Sequence, residues 1–329
     1  MRAVEHSLRF GENGLPLIGG GDWNDGFNNV GINGRGESVW LAEFVMMVLE
    51  RASRLCGYRG VGERAERYLS ESERLKKTVL EKAWDGKWFC RAVYDDGSKM
   101  GCAGDSECEI DSLSQSFAVL SGIPDKEKCD VALQSAYEKL VDRENGLVKL
   151  FTPPFTRRGR LPGYVASYPA GIRENGGQYT HAAVWLCLAL IKNGDADTGV
   201  SLLDMLNPLN KAQNGQYMTE SYALTGDVYT AEGMQGRGGW SLYTGSAGWY
   251  YSTVIRAVMG LRREADKLYI EPRFPSGWNE ARLTLETDGG KISIKFERSD
   301  EELLTVDGQA CGYIPLDGKT HDAVRKFRN

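Results

Sequence analysis

Tyr168-Pro-Ala-Gly-Ile-Arg-Glu-Asn-Gly-Gly-Gln-Tyr-Thr-His181 runs directly into Ala182-Ala-Val-Trp-Leu-Cys-Leu-Ala-Leu-Ile191. A polar, glycine-rich loop gives way to a run too densely apolar to leave a wet face, so a helix over 178–193, buried on most sides, is expected. Cys187 lies within it as a core residue. The same alternation recurs along the chain. Residues 37–57 read as a long, densely apolar helix and 61–84 as an amphipathic, charge-rich one. Helical patterns follow at 111–121, 127–141, 195–206 and 246–260. Pro- and Gly-rich connections such as Thr152-Pro-Pro-Phe separate them, while residues 1–36 read as loop. Long loops inside a compact domain usually carry function.

The character changes near residue 262. Lys267-Leu-Tyr-Ile-Glu-Pro, Ala281-Arg-Leu-Thr-Leu-Glu-Thr and Lys291-Ile-Ser-Ile-Lys-Phe-Glu-Arg alternate with period two, and Asp288-Gly-Gly joins two of them as a hairpin. Trp84-Asp-Gly-Lys-Trp-Phe and Val93-Tyr-Asp-Asp-Gly mark a further short hairpin. The expectation is a mainly α chain with a C-terminal β unit: helical hairpins over 1–262, then a small antiparallel, sandwich-like unit over 263–329.

A net charge of −5 over 329 residues favours neither nucleic acid nor an anionic membrane as partner. No apolar segment is long enough to span a bilayer and the N-terminus has no apolar signal region, so the expected location is cytoplasmic. The 7 cysteines are irregularly spaced and lack a CxxC, which predicts reduced thiols and no metal site. Glycine and tryptophan cluster together, as at Gly19-Gly-Gly with Trp23 and Gly236-Arg-Gly-Gly with Trp240. Glycine admits close backbone approach and tryptophan offers a flat face to a sugar ring, although tight interhelical loops packed by aromatics would use the same residues.

Three motifs carry candidate chemistry. In Gly21-Asp-Trp-Asn-Asp-Gly26 two carboxylates flank a Trp within a glycine-bounded loop. Cleaving a glycosidic bond requires a carboxylic acid to protonate the leaving oxygen, and aromatic packing or a second carboxylate raises a carboxyl pKa. A calcium loop would place Glu eleven positions after Asp22, where Asn33 stands instead; a plain Asp-rich turn stays open. In the second motif His181 opens a helix, a setting suited to an anion and equally to a capping or core histidine. In the third, Thr244-Gly-Ser246 precedes an apolar helix, where hydroxyls and free N–H groups hold an anion or simply cap the helix. It lacks the P-loop pattern. An acid, an anion site and aromatic platforms together favour phosphate-driven cleavage of a glycosidic bond.

Gly-Asp-Trp-Asn-Asp-Gly with Gly36-Glu-Ser-Val-Trp-Leu, Arg173-Glu-Asn-Gly-Gly-Gln-Tyr-Thr-His, and Gly236-Arg-Gly-Gly-Trp-Ser-Leu-Tyr-Thr-Gly-Ser-Ala-Gly-Trp resemble glycoside hydrolase family 94. So do Glu107-Cys-Glu-Ile-Asp-Ser-Leu-Ser-Gln-Ser and Met205-Leu-Asn-Pro-Leu-Asn. The resemblance covers nearly the whole chain. It implies part of an (α/α)6 barrel followed by a β-sandwich, and inverting phosphorolysis of β-linked glucose oligosaccharides to α-glucose 1-phosphate. It implies Asp25 as general acid and His181, Thr244 and Gly245 as phosphate-binding residues. Trp23, Tyr168, Arg173 and Glu174 would line the sugar subsites. Inorganic phosphate would be co-substrate, with no cofactor or metal. The loop style, with Tyr164 near Tyr168, is similar to the β-1,2-glucan members.

Two departures stand out. Family members carry a β-sandwich, a linker and further barrel helices ahead of the Asp-Trp-Asn-Asp motif, whereas 21 residues precede Asp22 here. The expectation is a C-terminal part completed by a missing N-terminal half, or a homodimer. Ser221 stands where relatives have Pro, which predicts a local loop change. Two other readings stay open: an inverting hydrolase with Glu174 or Glu220 as base, and a carbohydrate-binding remnant without turnover.

Overall fold

The structure is a computed structural model that describes residues 1–328 apart from 158, 214, 221 and 243 and the side chains of 22 and 244. The expected change at Ser221 therefore lies outside the described residues. Helices fill the first 260 residues and sheets the remainder: α1 (Arg2–Ser7), α2 (Val39–Tyr58), α3 (Gly62–Lys82), α4 (Ser112–Leu120), α5 (Lys126–Leu140), α6 (Thr180–Asn193), α7 (Ala196–Leu206), α8 (Pro208–Lys211) and α9 (Thr244–Thr253), the last running on as π-helix over Val254–Val258. The segment read as loop over 1–36 contains α1. It is anchored from outside, because Glu5 accepts from the Tyr68 hydroxyl and pairs with Arg67, both on α3.

Helix starts follow from local side chains. Ser38 caps α2 by accepting from the Leu41 N–H, Asp111 caps α4 by accepting from Leu113, and Asp195 caps α7 by accepting from Thr198. Gly194 ends α6 in the left-handed conformation at φ 106°. Hydrophobicity then sorts the helices into two rows. α4 and α6 are buried on almost every face, and α2 packs on α4, α4 on α6, and α6 on α9. The amphipathic α3 lies outside α2, α5 outside α4 and α7 outside α6, each burying one stripe and wetting the other. The result is an arc of helical hairpins with an inner row α2–α4–α6–α9.

The transition to the sheets is tight. Gly260 has φ 75°, and a side chain there would strike the Glu271 carbonyl. Leu261–Glu264, Lys267–Ile270 and Ile314–Pro315 form a three-stranded antiparallel sheet. The second sheet has the order Glu280–Thr287, Gly290–Arg298, His321–Phe327, Leu303–Val306, Gln309–Ala310. The Asp288-Gly turn forms as read. The antiparallel expectation fails at one pair: Gly290–Arg298 and His321–Phe327 run parallel, with Ile292 opposite His321. Period two reveals which face is buried but not which strand lies beside which.

A single buried cluster runs from Leu49 and Leu186 through Phe274 and Phe296 to Phe327, so arc and sheets share a core. The expectation of reduced thiols holds for Cys56, Cys108, Cys129, Cys187 and Cys311, but Cys90 and Cys102 form a disulfide. The hairpin of Ala92–Val93 and Lys99–Met100 brings these two together, a long-range register invisible in their spacing.

Candidate active site

The loops entering α2, α4, α6 and α9 meet at one end of the inner row, over a second buried cluster that includes Phe27, Trp40, Phe117 and Trp185. Those entering α2, α4 and α6 line a cavity of about 280 Å³ that includes Trp23, Asp25, Asp111, Glu174, Tyr179 and His181. Helix N-termini present free N–H groups and the positive end of the helix dipole, so this end of the arc favours an anion.

Asp25 sits in a 3-10 turn over Asp22–Phe27, its Oδ1 accepting the Gly26 N–H at 2.6 Å. The Tyr164 hydroxyl also bonds to its carboxylate; burial, then this bond, raise the Tyr164 pKa. The loop carrying Tyr164 can press so close because Gly163 has no side chain: a Cβ there would overlap Gly26 and Asn28. Asp25 itself lines the cavity yet is exposed. Glu174, which also lines the cavity, has its carboxyl pKa raised by burial, with the charges of Asp25 and Asp227 adding to the effect and the Arg173 guanidinium opposing it. Glu174 Oε2 is buried without a hydrogen-bond partner.

His181 is surrounded by tryptophan. Its ring centroid lies 4.3 Å from Trp185, 5.3 Å from Trp23 and 6.0 Å from Trp249. Burial lowers its pKa to about 4, so the imidazole is neutral near pH 7. Nε2 is buried without a partner, while a Cβ on Gly245 would sit 3.5 Å from Nδ1. The imidazole and the start of α9 are thus neighbours, as the second and third motifs suggested. The Thr244 side chain falls outside the described residues; its backbone opens α9.

Arg173 adopts φ 51°, with its guanidinium over the rings of Tyr168 at 4.8 Å and Trp240 at 5.1 Å and 3.4 Å from Glu174. Tyr168 in turn packs edge-on against Tyr164. What braces this group is Asp227, which sequence reasoning missed. It lies on the strand Asp227–Val228 paired with Gln178–Tyr179, and accepts N–H groups from Trp240 at 3.0 Å and from Arg173. Its Oδ2 is buried and unpartnered. Asp111, also missed as a pocket residue, faces the buried Arg91 at 3.3 Å. Asp227 stands in no local pattern that would single it out, whereas Asp111 lies within the Glu107-Cys-Glu-Ile-Asp motif. Glu220, considered as a base, is not among the residues lining this cavity.

Residues 1–260 match the family model "Glycosyl hydrolase 94 superfamily, catalytic domain". The chain is 41% identical over 305 residues to the cyclic beta-(1,2)-glucan synthase NdvB of Rhizobium meliloti (strain 1021), covering 91% of this chain and 11% of that protein. It is 30% identical over 314 residues to a cellobionic acid phosphorylase of Neurospora crassa, covering 93% of this chain and 39% of that protein. It is also 30% identical over 334 residues to a solabiose phosphorylase of Paenibacillus borealis, with 98% and 43% covered. The chain therefore spans a tenth to two-fifths of the length of these relatives. In fold it resembles a solved sialidase (TM-score 0.60, 16% identity, 86% of this chain and 26% of that one). It also resembles a rhamnosidase of Bacillus sp. GL1 (TM-score 0.58, 14% identity, 99% and 31%).

Proposed function

The chain belongs to the glycosyl hydrolase 94 superfamily, and we propose that it carries the acid and the anion site of an inverting phosphorylase acting on β-linked glucose oligosaccharides. Asp25 protonates the glycosidic oxygen as the bond to the anomeric carbon breaks. Phosphate, held by His181, Gly245 and Thr244, attacks that carbon from the opposite face, giving α-glucose 1-phosphate with inversion. Trp23, Tyr168, Arg173 and Glu174 hold the sugars. Phosphate is the nucleophile, so the reaction calls on no separate base, cofactor or metal. The observation that carries this reading is the position of Trp23: its ring contacts His181, and two residues on stands Asp25, so the proposed acid and the proposed anion ligand line one pocket.

The similarity to a cyclic glucan synthase supports a β-1,2-linked substrate. The exposed Phe44, Leu55 and Tyr58 on α2 and Tyr251 on α9 support further helices, or a second copy, covering the two ends of the inner row. In this reading the arc over 1–262 is part of an (α/α)6 barrel and 263–329 its β-sandwich. The covering helices also seal Asp25 from bulk water. Among the described residues no helix is long and apolar enough to cross a membrane; with a net charge of −5 favouring neither nucleic acid nor an anionic membrane, we place the reaction in the cytoplasm without either partner.

The deciding experiment measures phosphate consumption on β-1,2-, β-1,3- and β-1,4-linked glucose oligomers, with and without an N-terminal complement. Phosphate-dependent glucose 1-phosphate release, abolished by Asp25→Asn, is expected. Equal turnover without phosphate would instead establish a hydrolase. The exposure of Asp25 favours a second reading, a sugar-binding chain without turnover. Calorimetric sugar binding with no turnover, even with the complement present, would establish it.

A further inference from the structure

We propose that Arg91 is the positioning residue that sets the Asp25 turn, an inference that rests on Asp25 being the acid. Arg91 is fully buried. It leads into the hairpin strand Ala92–Val93, and Gly101 across that hairpin must lack a side chain, since a Cβ would overlap the Arg91 backbone nitrogen and Cβ. From this fixed base the guanidinium reaches both sides of residue 25. Nη2 donates to the Trp23 carbonyl and to Asn24 Oδ1, each at 3.0 Å. The guanidinium carbon lies 4.9 Å from the Phe27 ring centroid. Residues 23, 24 and 27 are thus held by one side chain, while Asp25 between them is left to face the cavity.

The same group ties this turn to two helix starts. Nη1 donates to Ser38 Oγ at 3.3 Å, the cap of α2, and Nε lies 3.3 Å from Asp111 Oδ2, the cap of α4. Within the turn the Asn24 N–H donates to the Gly21 carbonyl and the Gly26 N–H to Asp25 Oδ1; from outside it, Ser38 Oγ donates to Asn24 Oδ1 at 3.2 Å, and the Asn24 amide reaches the Ile18 carbonyl at 3.3 Å. A planar fork with donors in fixed directions meets these acceptors together; a lysine ammonium at the end of a flexible stem does not. Arg91 does not touch the anion site, so it acts on the acid's placement and not on phosphate affinity.

The test uses Arg91→Lys and, as a milder variant that keeps the arginine, Asn24→Ala, in the full chain with an N-terminal complement. A misplacement on the order of 1 Å costs about 10²-fold in rate, so Arg91→Lys should lower kcat by about that factor and Asn24→Ala by about tenfold. KM for inorganic phosphate should stay within about twofold. Backbone hydrogen exchange over residues 22–27 should accelerate in both variants while that over 321–327 keeps its wild-type rate. Unchanged kcat with unchanged exchange at 22–27 would overturn the proposal, as would a raised phosphate KM at wild-type kcat. If Arg91→Lys fails to fold, Asn24→Ala decides by the same criteria. If the wild-type chain shows no phosphorolysis, the functional reading fails, and the exchange measurement still decides the role of Arg91.

Discussion

Two histidines in this chain meet opposite fates. His181, at the pocket end of the helical arc, is packed among tryptophans, neutral, and has a buried ring nitrogen with no partner. His321, in the β unit, is also shielded from solvent but held between two carboxylates, Nδ1 at 2.7 Å from Asp307 and Nε2 at 3.0 Å from Asp317, and its pKa is raised by those bonds. The contrast extends to their surroundings. Asp227 and Trp185 near the pocket each bury a polar atom without a hydrogen-bond partner, whereas in the β unit Arg325 is the described residue that does so. Buried polar groups are normally satisfied, and leaving one bare costs about 1–3 kcal/mol. On the proposed function, the bare groups at the pocket are the ones a bound sugar or anion would satisfy, and the β unit has no such role.

The sharpest way to break this contrast is Asp25→Asn. It should lower phosphorolysis by about 10²–10⁴-fold in a glucose 1-phosphate assay and leave the melting temperature nearly unchanged. The reverse outcome is expected in the β unit, where Phe296 is fully buried. Phe296→Ala should cost about 3–5 kcal/mol in denaturant unfolding with phosphate KM unchanged. A drop in stability from the first, or in phosphate affinity from the second, would blur the division.

The histidines sharpen the contrast further by NMR titration. His181 should titrate near pH 4 and move upward when phosphate is added, since a bound anion favours the charged imidazole. No upward movement would argue against phosphate at this ring. The smallest effect concerns stability against pH. A raised folded-state pKa at His321 means its contribution is complete below the ordinary histidine pKa of about 6.5 and lost as pH rises through the folded value. Unfolding curves of His321→Gln should therefore converge with wild type at alkaline pH and diverge below neutrality. A constant gap between them would show that the ring acts through packing.

Much of the fold was written in local patterns. The helix read over 37–57 forms as Val39–Tyr58, that over 178–193 as Thr180–Asn193, and the Asp288-Gly hairpin as read. Apolar periodicity and capping act within a few residues, so they survive without tertiary context. Of the site, Asp25, His181 and Gly245 do converge, and Tyr168, Arg173 and Glu174 lie together. What stayed hidden depends on pairing across the chain. Arg91 reaches Asn24 across 67 positions. Asp227 matters because its strand lies beside Tyr179, and the strand His321–Phe327 chose a parallel neighbour. The exposure of Asp25 was equally illegible, since it depends on what stands over the pocket and not on the motif.

That parallel pairing has a consequence for biogenesis. His321–Phe327 lies between Gly290–Arg298 and Leu303–Val306, so the last of the five strands to leave the ribosome occupies the middle of their sheet. While residues 321–327 remain in the exit tunnel, the earlier strands wait with a gap among them and Phe274 without its Phe327 neighbour. The helical arc can condense during synthesis, but this sheet closes only after translation has passed Phe327.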